Sequence, residues 1–151
     1  MIINIGSKGT YPSNTLSNFT AYEFIFDGIQ CSSMEGVLQA FKFRDTAEQL
    51  HVVTLVGFDA KKYGKQGNNW RKDQTLYWNG ESYDRHSKQY QELLTRAYNA
   101  LFDEHSLFRK ALKATGKNEL VHTVGKSDAH ETILTEREFV EQLYRLREML
   151  N

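Results

Sequence analysis

Residues 32–43 read SSMEGVLQAFKF, and this stretch decides how the rest of the chain is organised. It has the pattern of a helix start, because Ser32 can cap the first turn and Glu35 follows three residues later, as in a capping box. Apolar residues then recur at helical spacing. We therefore predict one helix that runs from Ser32 to about Leu50.

A polar stripe lies along one face of this predicted helix. Glu35, Gln39 and Lys42 have the spacing i, i+4 and i+7, which places a carboxylate, an amide and an ammonium in one row. Large apolar side chains border the row: Val37, Leu38, Phe41 and Phe43. This pattern is typical of the wall of a polar pocket, and also of an ordinary amphipathic helix, which is the more common case.

Composition limits the function classes. With 151 residues the chain has the length of one domain with a hydrophobic core, and we predict a single domain over residues 1–151. Lys and Arg total 19, as do Asp and Glu, so a zero net charge disfavours a protein that simply binds nucleic acid electrostatically, although a local basic patch is allowed.

The sequence lacks the patterns that indicate a disulfide, a metal site or a membrane segment. A single cysteine, Cys31, excludes an intrachain disulfide, and no Cys/His spacing indicates a metal site. There is no long apolar run and no signal-peptide pattern. We predict a cytoplasmic protein without membrane association, metal or cofactor.

The segments before the central helix predict a loop and a hairpin. Residues 6–14 are rich in Gly, Ser, Thr and Asn, and the loop continues through residues 16–19. Residues 22–26 and 29–31 flank Asp27-Gly28, a strong two-residue hairpin signal. The hairpin leads directly into the helix.

The segments after it predict more helix than strand. Residues 51–57 suit either a strand or a buried helical turn, and residues 58–65 suit a short helix ending at Gly64. We predict a polar, turn-rich loop over residues 66–85. Ser87 and Ser106 can cap the next two helices, Thr135 and Glu138 form a second capping box, and a short strand is predicted near residues 120–124. The predicted fold class is therefore α+β and mainly α-helical.

Local chemistry alone leaves each candidate residue with two readings. Lys61, Lys62 and Lys65 can hold a phosphate, or can form a solvated helix end. Trp70 and Trp78, beside two cations, can stack on a nucleobase, or can pack a loop. Four further candidates can belong to a functional site, or can have ordinary roles in caps and turns: Glu35, Ser17, Asn18 and Asp128.

Five motifs, taken in order, resemble the NADAR family, the YbiA-like N-glycosidases. They are Leu16-Ser17-Asn18-Phe19, Ser33-x-Glu35-x-x-x-Gln39-Ala40-x-Lys42-Phe43, Ala60-Lys61-x-x-Gly64-Lys65, Leu112-x-x-Thr115-Gly116, and an Asp128 loop before a terminal helix that ends in Leu146-Arg147. Together they cover the chain from about residue 10 to the C-terminus. Each is weak alone, but the ordered set is specific.

The resemblance implies a YbiA-like, mainly helical fold with a few short strands and metal-free hydrolysis of an N-glycosidic bond to a phosphorylated ribose or ADP-ribose. Some members are associated with phosphoribosylated riboflavin-pathway intermediates. Others remove ADP-ribose from guanine in DNA and so reverse DNA-targeting ADP-ribosyltransferase toxins. We expect a stand-alone protein without a fused riboflavin-synthesis domain, and residues 70–85 look closer to the stand-alone members of phages and plasmids. We therefore expect ADP-ribosyl guanine in DNA as the substrate.

The resemblance also implies roles for individual residues. Glu35 is expected to be the catalytic carboxylate, Lys42 to hold or tune it or to contact a ribose hydroxyl, and Asp128 to bind ribose hydroxyls or act as a second carboxylate. The residues expected to bind substrate are Ser17, Asn18, Phe19, Gln39, Lys61, Lys65, Trp70 and Trp78. The expected partners are an ADP-ribosylated nucleobase or DNA and ADP-ribose, with no stable protein partner.

The chain departs from the family pattern at two places. Where the family often has Gly-Arg, this chain has Gly64-Lys65, and lysine keeps the positive charge without the bidentate guanidinium fork. The late Asp is often followed by Trp-Gly, whereas Ala129-His130 follows Asp128 here. A competing hypothesis is a module that binds ADP-ribose or NAD without hydrolysis, in which Glu35 has only a structural role.

Overall fold

The hairpin predicted around Asp27-Gly28 is confirmed. Strands β2 (Phe24–Phe26) and β3 (Ile29–Cys31) pair antiparallel. The two turn residues have φ values of 50° and 78°, the left-handed conformation that suits a tight two-residue turn. The computed structural model that gives these elements describes residues 1–150. From β3 the chain enters helix α1 (Met34–Ala40), which carries the polar stripe.

Helix α1 is capped by Ser33 rather than by Ser32. The Ser33 hydroxyl accepts a hydrogen bond from the Gly36 N–H (3.0 Å) and donates one to the Leu55 carbonyl (2.9 Å). The predicted Ser32–Glu35 capping box is therefore wrong. The Glu35 carboxylate points along the helix and plays no part in its cap.

The single helix predicted over residues 32–50 is also wrong, because the chain forms two helices there. Helix α1 ends at Ala40 and helix α2 (Thr46–Val52) begins after Asp45, whose carboxylate accepts from the N–H of the second residue of α2 (2.9 Å). At the break, the Gln49 side chain donates to the Ala40 carbonyl (3.2 Å). A side chain thus takes the place of the next helical N–H.

Helix α3 (Gly57–Gly64) confirms the predicted short helix and packs closely against α1. Two glycines lie at close contacts of α1, one with the segment before α3 and one at the end of α3. A Cβ atom on Gly36 would lie 2.7 Å from the Leu55 carbonyl oxygen, and one on Gly64 would lie 1.8 Å from Gln39 Oε1. These contacts leave no room for a larger residue, and they bring the end of α3 against the polar stripe.

The loop predicted over residues 66–85 is wrong. The segment contains the short helix α4 (Trp70–Asp73) and a hairpin of strands β4 (Thr75–Trp78) and β5 (Glu81–Asp84). Its turn is Asn79-Gly80, with φ values of 51° and 91°, so a recognised hairpin signal is present. The polar residues that suggested a loop lie mostly on the exposed side of the hairpin.

The remaining elements complete the α+β fold. They are β1 (Ile2–Asn4), α5 (Lys88–Glu104), α6 (Ser106–Ala114), β6 (Glu119–Val121) and α7 (Glu136–Glu148). Strands β1 and β6 pair in parallel, and one cluster of buried hydrophobic side chains connects the helices and the hairpins. The predicted Ser87 cap and the Thr135–Glu138 capping box are confirmed. The N-cap of α6, however, is His105 rather than Ser106. Within residues 1–150 no helix is long and apolar enough to span a membrane.

A buried ion pair fixes the loop before α7. Arg85 is 1% exposed and donates to both carboxylate oxygens of Glu138 (3.0 and 2.7 Å) and to the Thr132 carbonyl (2.9 Å). Because the guanidinium donates from Nε, Nη1 and Nη2, it joins the end of the β4–β5 hairpin to the loop at Thr132 and to α7 in one geometry. The loop of residues 125–132 is thereby held beside α4.

Candidate active site

Glu35 is a buried carboxyl on the face of α1 that meets α3. Its exposed fraction is 9%, and its Oε2 accepts a hydrogen bond from Gln39 Nε2 (2.7 Å). Burial raises the pKa of Glu35 above its ordinary value of 4.5, while the Gln39 hydrogen bond and the charges of Lys61 and Lys42 oppose that rise. A carboxyl with a raised pKa is suited to exchange protons near neutral pH.

Lys42 lies close enough to this carboxyl and to three other cations for their charges to affect its pKa. Its Nζ donates to the Gly64 carbonyl (3.3 Å) and to Asn68 Oδ1 (2.9 Å). Burial lowers the pKa of Lys42 to about 8; the nearby Glu35 charge opposes this, and the charges of three further cations add to it. Those cations are Arg71, Lys126 and Lys61. We call Lys42 and these three residues the cation cluster.

Two members of the cation cluster are not among the predicted site residues, although Arg71 is one of the two cations noted beside Trp70 and Trp78. Arg71 comes from α4, where its Nε donates to the Glu131 carbonyl (3.2 Å), and Lys126 comes from the loop before α7. One signal was available, since residues 61–72 contain five Lys or Arg and no Asp or Glu. Lys126 has no such local signal, because only the tertiary fold brings its loop near α1.

The Ser17–Phe19 segment contacts the start of α1. The Glu35 N–H donates to the Asn18 carbonyl (3.1 Å), and Asn18 Oδ1 accepts from the Tyr98 hydroxyl (2.8 Å). The Ser17 hydroxyl accepts from the Phe19 N–H (3.1 Å) and shapes the turn. The structure therefore brings the predicted residue Asn18 beside Glu35, and it adds Tyr98, which the sequence prediction also missed.

Tyr98 positions Asn18 from within the core. Burial raises the pKa of Tyr98 well above 10.0, and the hydrogen bond to Asn18 opposes that rise. The phenol therefore stays neutral and keeps its proton for Asn18 at every pH at which the protein is handled.

Tyr98→Phe is expected to lower the free energy of unfolding by about 1 kcal/mol, because one buried hydrogen bond is lost. It is also expected to lower activity several-fold, since the Asn18 side chain loses its orientation. Urea unfolding and steady-state kinetics measure the two effects. Tyr22→Phe is the matched control, because it removes a similar bond from the Tyr22 hydroxyl to the Thr15 carbonyl (3.1 Å) in a different part of the core. Equal activity in the two variants would contradict the role of Tyr98.

The family model described as bacteriophage protein GP30.3 matches residues 10–148. The chain belongs to this family. An uncharacterized 17.1 kDa protein from the Gp30–rIII intergenic region of Enterobacteria phage T4 is 35% identical over 149 residues, which cover 98% of each chain.

The NMR structure of the Escherichia coli protein YbiA has the same fold as this GP30.3-family protein. The TM-score is 0.65 at 22% sequence identity, and the match covers 99% of this chain and 84% of YbiA. At that identity the similarity concerns the fold alone. It confirms the YbiA-like α+β fold that the resemblance implied.

In this GP30.3-family protein Asp128 is paired with a residue other than Glu35. It is exposed, and its carboxylate accepts from the His130 N–H (2.9 Å) and lies 3.2 Å from His130 Nδ1. These hydrogen bonds lower the pKa of Asp128 below 3.8. Lys65 is exposed at the end of α3, and Phe19 is half-buried beside Gly57.

The two tryptophans predicted to stack on a base have different positions, and both are buried. Trp78 is 1% exposed, packs parallel to Phe26 with ring centroids 5.2 Å apart, and donates from Nε1 to Asp27 Oδ2 (2.8 Å). It is a core residue, so the predicted base contact by Trp78 is not available. Trp70 is 3% exposed but borders an open cleft next to Lys42.

The site is made of carboxyl, amide, hydroxyl and amino groups. Among residues 1–150 no three His, Cys, Asp or Glu side chains converge as a metal site. The site combines one buried carboxyl, which is hydrogen bonded to the Gln39 amide on α1, with cations from three other segments. Such a site can bind an anionic ligand and hold a carboxyl against it.

Proposed function

We propose that this GP30.3-family protein is an N-glycosidase that removes ADP-ribose from guanine in DNA. The observation that carries the proposal is the buried Glu35, which has a raised pKa and lies beside the cation cluster. The YbiA-like fold and the ordered NADAR-like motifs support the reaction class. The relative from phage T4 supports the choice of the stand-alone phage branch.

In the proposed reaction, the bond between the ribose C1′ and the base nitrogen breaks, and its electron pair goes to the base. Positive charge then develops on the sugar as an oxocarbenium ion, which a nearby carboxylate stabilises. Glu35 in its ionised form supplies this charge and takes a proton from the attacking water. The water oxygen bonds to C1′, and the departing base nitrogen takes up a proton from bulk water, to which Glu35 later returns the proton that it accepted.

The cation cluster is proposed to bind the pyrophosphate of ADP-ribose. Lys42 and Lys61 lie close enough to Glu35 to affect its pKa, so phosphates held by them would keep the ribose near the carboxyl. Arg71 is partly neutralised by Glu131, with 3.9 Å between Arg71 Nη1 and Glu131 Oε2. Lys61 and Lys126 form no salt bridge with a carboxylate among residues 1–150. Their charges are therefore available to an anionic ligand.

A mass-spectrometric assay on a short oligonucleotide that carries ADP-ribosyl guanine tests the proposal. Release of free ADP-ribose is the expected result. No release, together with cleavage of phosphoribosylated pyrimidine intermediates in the same format, would move the protein to the riboflavin-type branch. No cleavage of either substrate, with ADP-ribose still bound, would favour a module that binds ADP-ribose without hydrolysing it.

The pH dependence of kcat/KM is expected to have two limbs. Glu35 acts as a carboxylate, so activity falls as pH decreases through its pKa, which burial raises above 4.5. Lys42 acts as a cation, so activity also falls as pH rises through its pKa of about 8. Lys42→Arg should remove the alkaline limb, because arginine stays protonated at that pH. An alkaline limb near 8 that persists in Lys42→Arg would assign it to another group.

A further inference from the structure

A groove that the proposed chemistry does not use begins at Lys42. Its first part is an open cleft of about 420 Å³, and the residues that line it include Gly67, Trp70, Arg44 and Tyr77. The size is within the range that holds a nucleotide-sized ligand, roughly 300–1,000 Å³. Because Lys42 belongs both to this cleft and to the cation cluster, a ligand can extend from one to the other.

The cleft continues along the β4–β5 hairpin. A second depression of about 280 Å³ shares Arg44 and Tyr77 with the first and reaches Gly80 and Ser82 at the hairpin turn. Because the two depressions share lining residues, we treat them together and call them the hairpin groove. Its lining includes residues of both hairpin strands, beyond the residues assigned to the reacting sugar.

Two side chains in the hairpin groove have groups available to a ligand, Tyr77 and Arg44. Tyr77 is half-buried, and its backbone is fixed by the bond from its N–H to the Phe41 carbonyl (2.8 Å), so its ring is held at the groove wall. Arg44 is exposed, and no carboxylate among residues 1–150 forms a salt bridge with it. Trp70 also lines the groove, but its indole N–H is buried and is therefore not available to a ligand there.

The charges in the hairpin groove favour nucleobases over phosphates. Glu48, Asp73 and Glu81 also line it, and carboxylates repel phosphate while accepting hydrogen bonds from base amino groups. Exposed cations lie just outside, since Lys65 and Lys72 are next in sequence to the lining residues Gln66 and Asp73. If neutral bases lie inside the groove and the phosphate backbone lies at its rim, the bases meet the carboxylates and the phosphates meet the exposed cations.

We infer that the hairpin groove binds the nucleotides flanking the modified base in a single-stranded segment of nucleic acid. The inference rests on the proposed function, because it extends the same substrate beyond the reacting nucleotide. An aromatic ring and an arginine are the usual partners of an unpaired base, and stacking on them is largely independent of sequence. A base within a duplex has no free face to offer, so the strand must be unpaired at the groove.

Steady-state kinetics on two substrates test the inference. One is ADP-ribosyl guanosine, and the other is a single-stranded nonamer with ADP-ribosyl guanine at its centre. The native protein is expected to have the lower KM for the nonamer. Tyr77→Ala should raise KM for the nonamer by about tenfold, the loss of one stacked base, and leave KM for ADP-ribosyl guanosine unchanged. Tyr77→Phe, which keeps the ring, should resemble the native protein on both substrates.

Two kinetic outcomes would overturn the inference. If Tyr77→Ala raises KM equally for both substrates, the groove holds the leaving base rather than its neighbours. If the native protein cleaves the same nonamer as efficiently in a duplex, the strand does not need to be unpaired.

A binding measurement separates failure of the inference from failure of the proposed function. If the native protein hydrolyses neither substrate, the glycosidase proposal fails first. Fluorescence anisotropy with an unmodified, fluorescein-labelled nonamer then tests the groove without any reaction. We expect roughly tenfold weaker binding by Tyr77→Ala and native-like binding by Tyr77→Phe. Equal binding by all three proteins would exclude the groove as a site for nucleic acid.

Discussion

Replacing Glu35 with glutamine is expected to lower turnover by about a hundredfold or more while the protein stays folded. The amide has nearly the same shape as the carboxyl and can still accept the hydrogen bond from Gln39 Nε2, now 2.7 Å long. It cannot supply negative charge to an oxocarbenium ion or take a proton from water. The change therefore removes the chemistry and keeps the packing.

The same variant is expected to be at least as stable as the native protein at neutral pH. Burial raises the pKa of Glu35 in the folded state, so ionisation of Glu35 opposes folding as pH rises above 4.5. Glutamine does not ionise. The melting temperature of Glu35→Gln relative to native should therefore increase between pH 4 and pH 8. Differential scanning fluorimetry across that range measures it.

Glu141→Gln is the matched control, because Glu141 is exposed on α7 and forms a surface salt bridge with Arg137 one helical turn earlier. It should change neither turnover nor the pH dependence of stability. A turnover of Glu35→Gln within a few-fold of native would remove Glu35 from the mechanism. If neither the native protein nor Glu35→Gln hydrolysed the substrate but both bound ADP-ribose, the module without hydrolysis would become the better description.

Those parts of the fold that depend on neighbouring residues could be predicted from the sequence. The Asp27-Gly28 turn and the Thr135–Glu138 capping box each involve residues within three positions of one another. The Glu35–Gln39 hydrogen bond is of the same kind, because residues four apart lie on one helix face. In each case the local backbone determines the contact, and local rules suffice.

The parts that could not be predicted depend on partners distant in the chain. Helix α1 stops where the Phe41 carbonyl accepts from the N–H of Tyr77 (2.8 Å). No local rule assigns a donor 36 residues away. Tyr98 and Lys126 reach the site for the same reason. Aromatic content also gave no means of separating Trp78, which is in the core, from Trp70, which borders the cleft.

Gly64→Ala is expected to lower both stability and turnover, although the backbone conformation at residue 64 suits alanine. The φ and ψ angles of Gly64 are −59° and −22°, which are helical, so the intrinsic preference favours alanine by about 1 kcal/mol. The cost comes entirely from the side chain, because its Cβ would lie 1.8 Å from Gln39 Oε1 and 2.5 Å from Gln39 Cδ. Gln39 must therefore move, and its hydrogen bond to Glu35 must break.

Two effects are expected from this displacement. The free energy of unfolding should fall by about 1–3 kcal/mol, as for other overpacked contacts. Turnover should fall by roughly a hundredfold, because Glu35 loses the bond that orients it. Gly6→Ala is the matched control: a Cβ atom there meets nothing within 4 Å, and its φ is outside the left-handed region. That variant should have native stability and turnover.

A double-mutant cycle isolates the contact between residues 39 and 64. In a Gln39→Ala background the obstructing amide is absent, so adding Gly64→Ala should change the free energy of unfolding by less than about 0.5 kcal/mol. A full additional loss in that background would mean that Gly64 is required for some other contact.

The pH profile of Gly64→Ala provides a readout that a simple packing defect would not change. The Gln39 hydrogen bond lowers the pKa of Glu35 and so opposes the effect of burial. Without that bond, the pKa of Glu35 rises further, and the acid limb of kcat/KM should move to higher pH. The alkaline limb near 8 should stay in place if Lys42 keeps its bond to Asn68 (2.9 Å). An unchanged acid limb would mean that Gln39 does not hold Glu35 during the reaction, whatever the loss of stability.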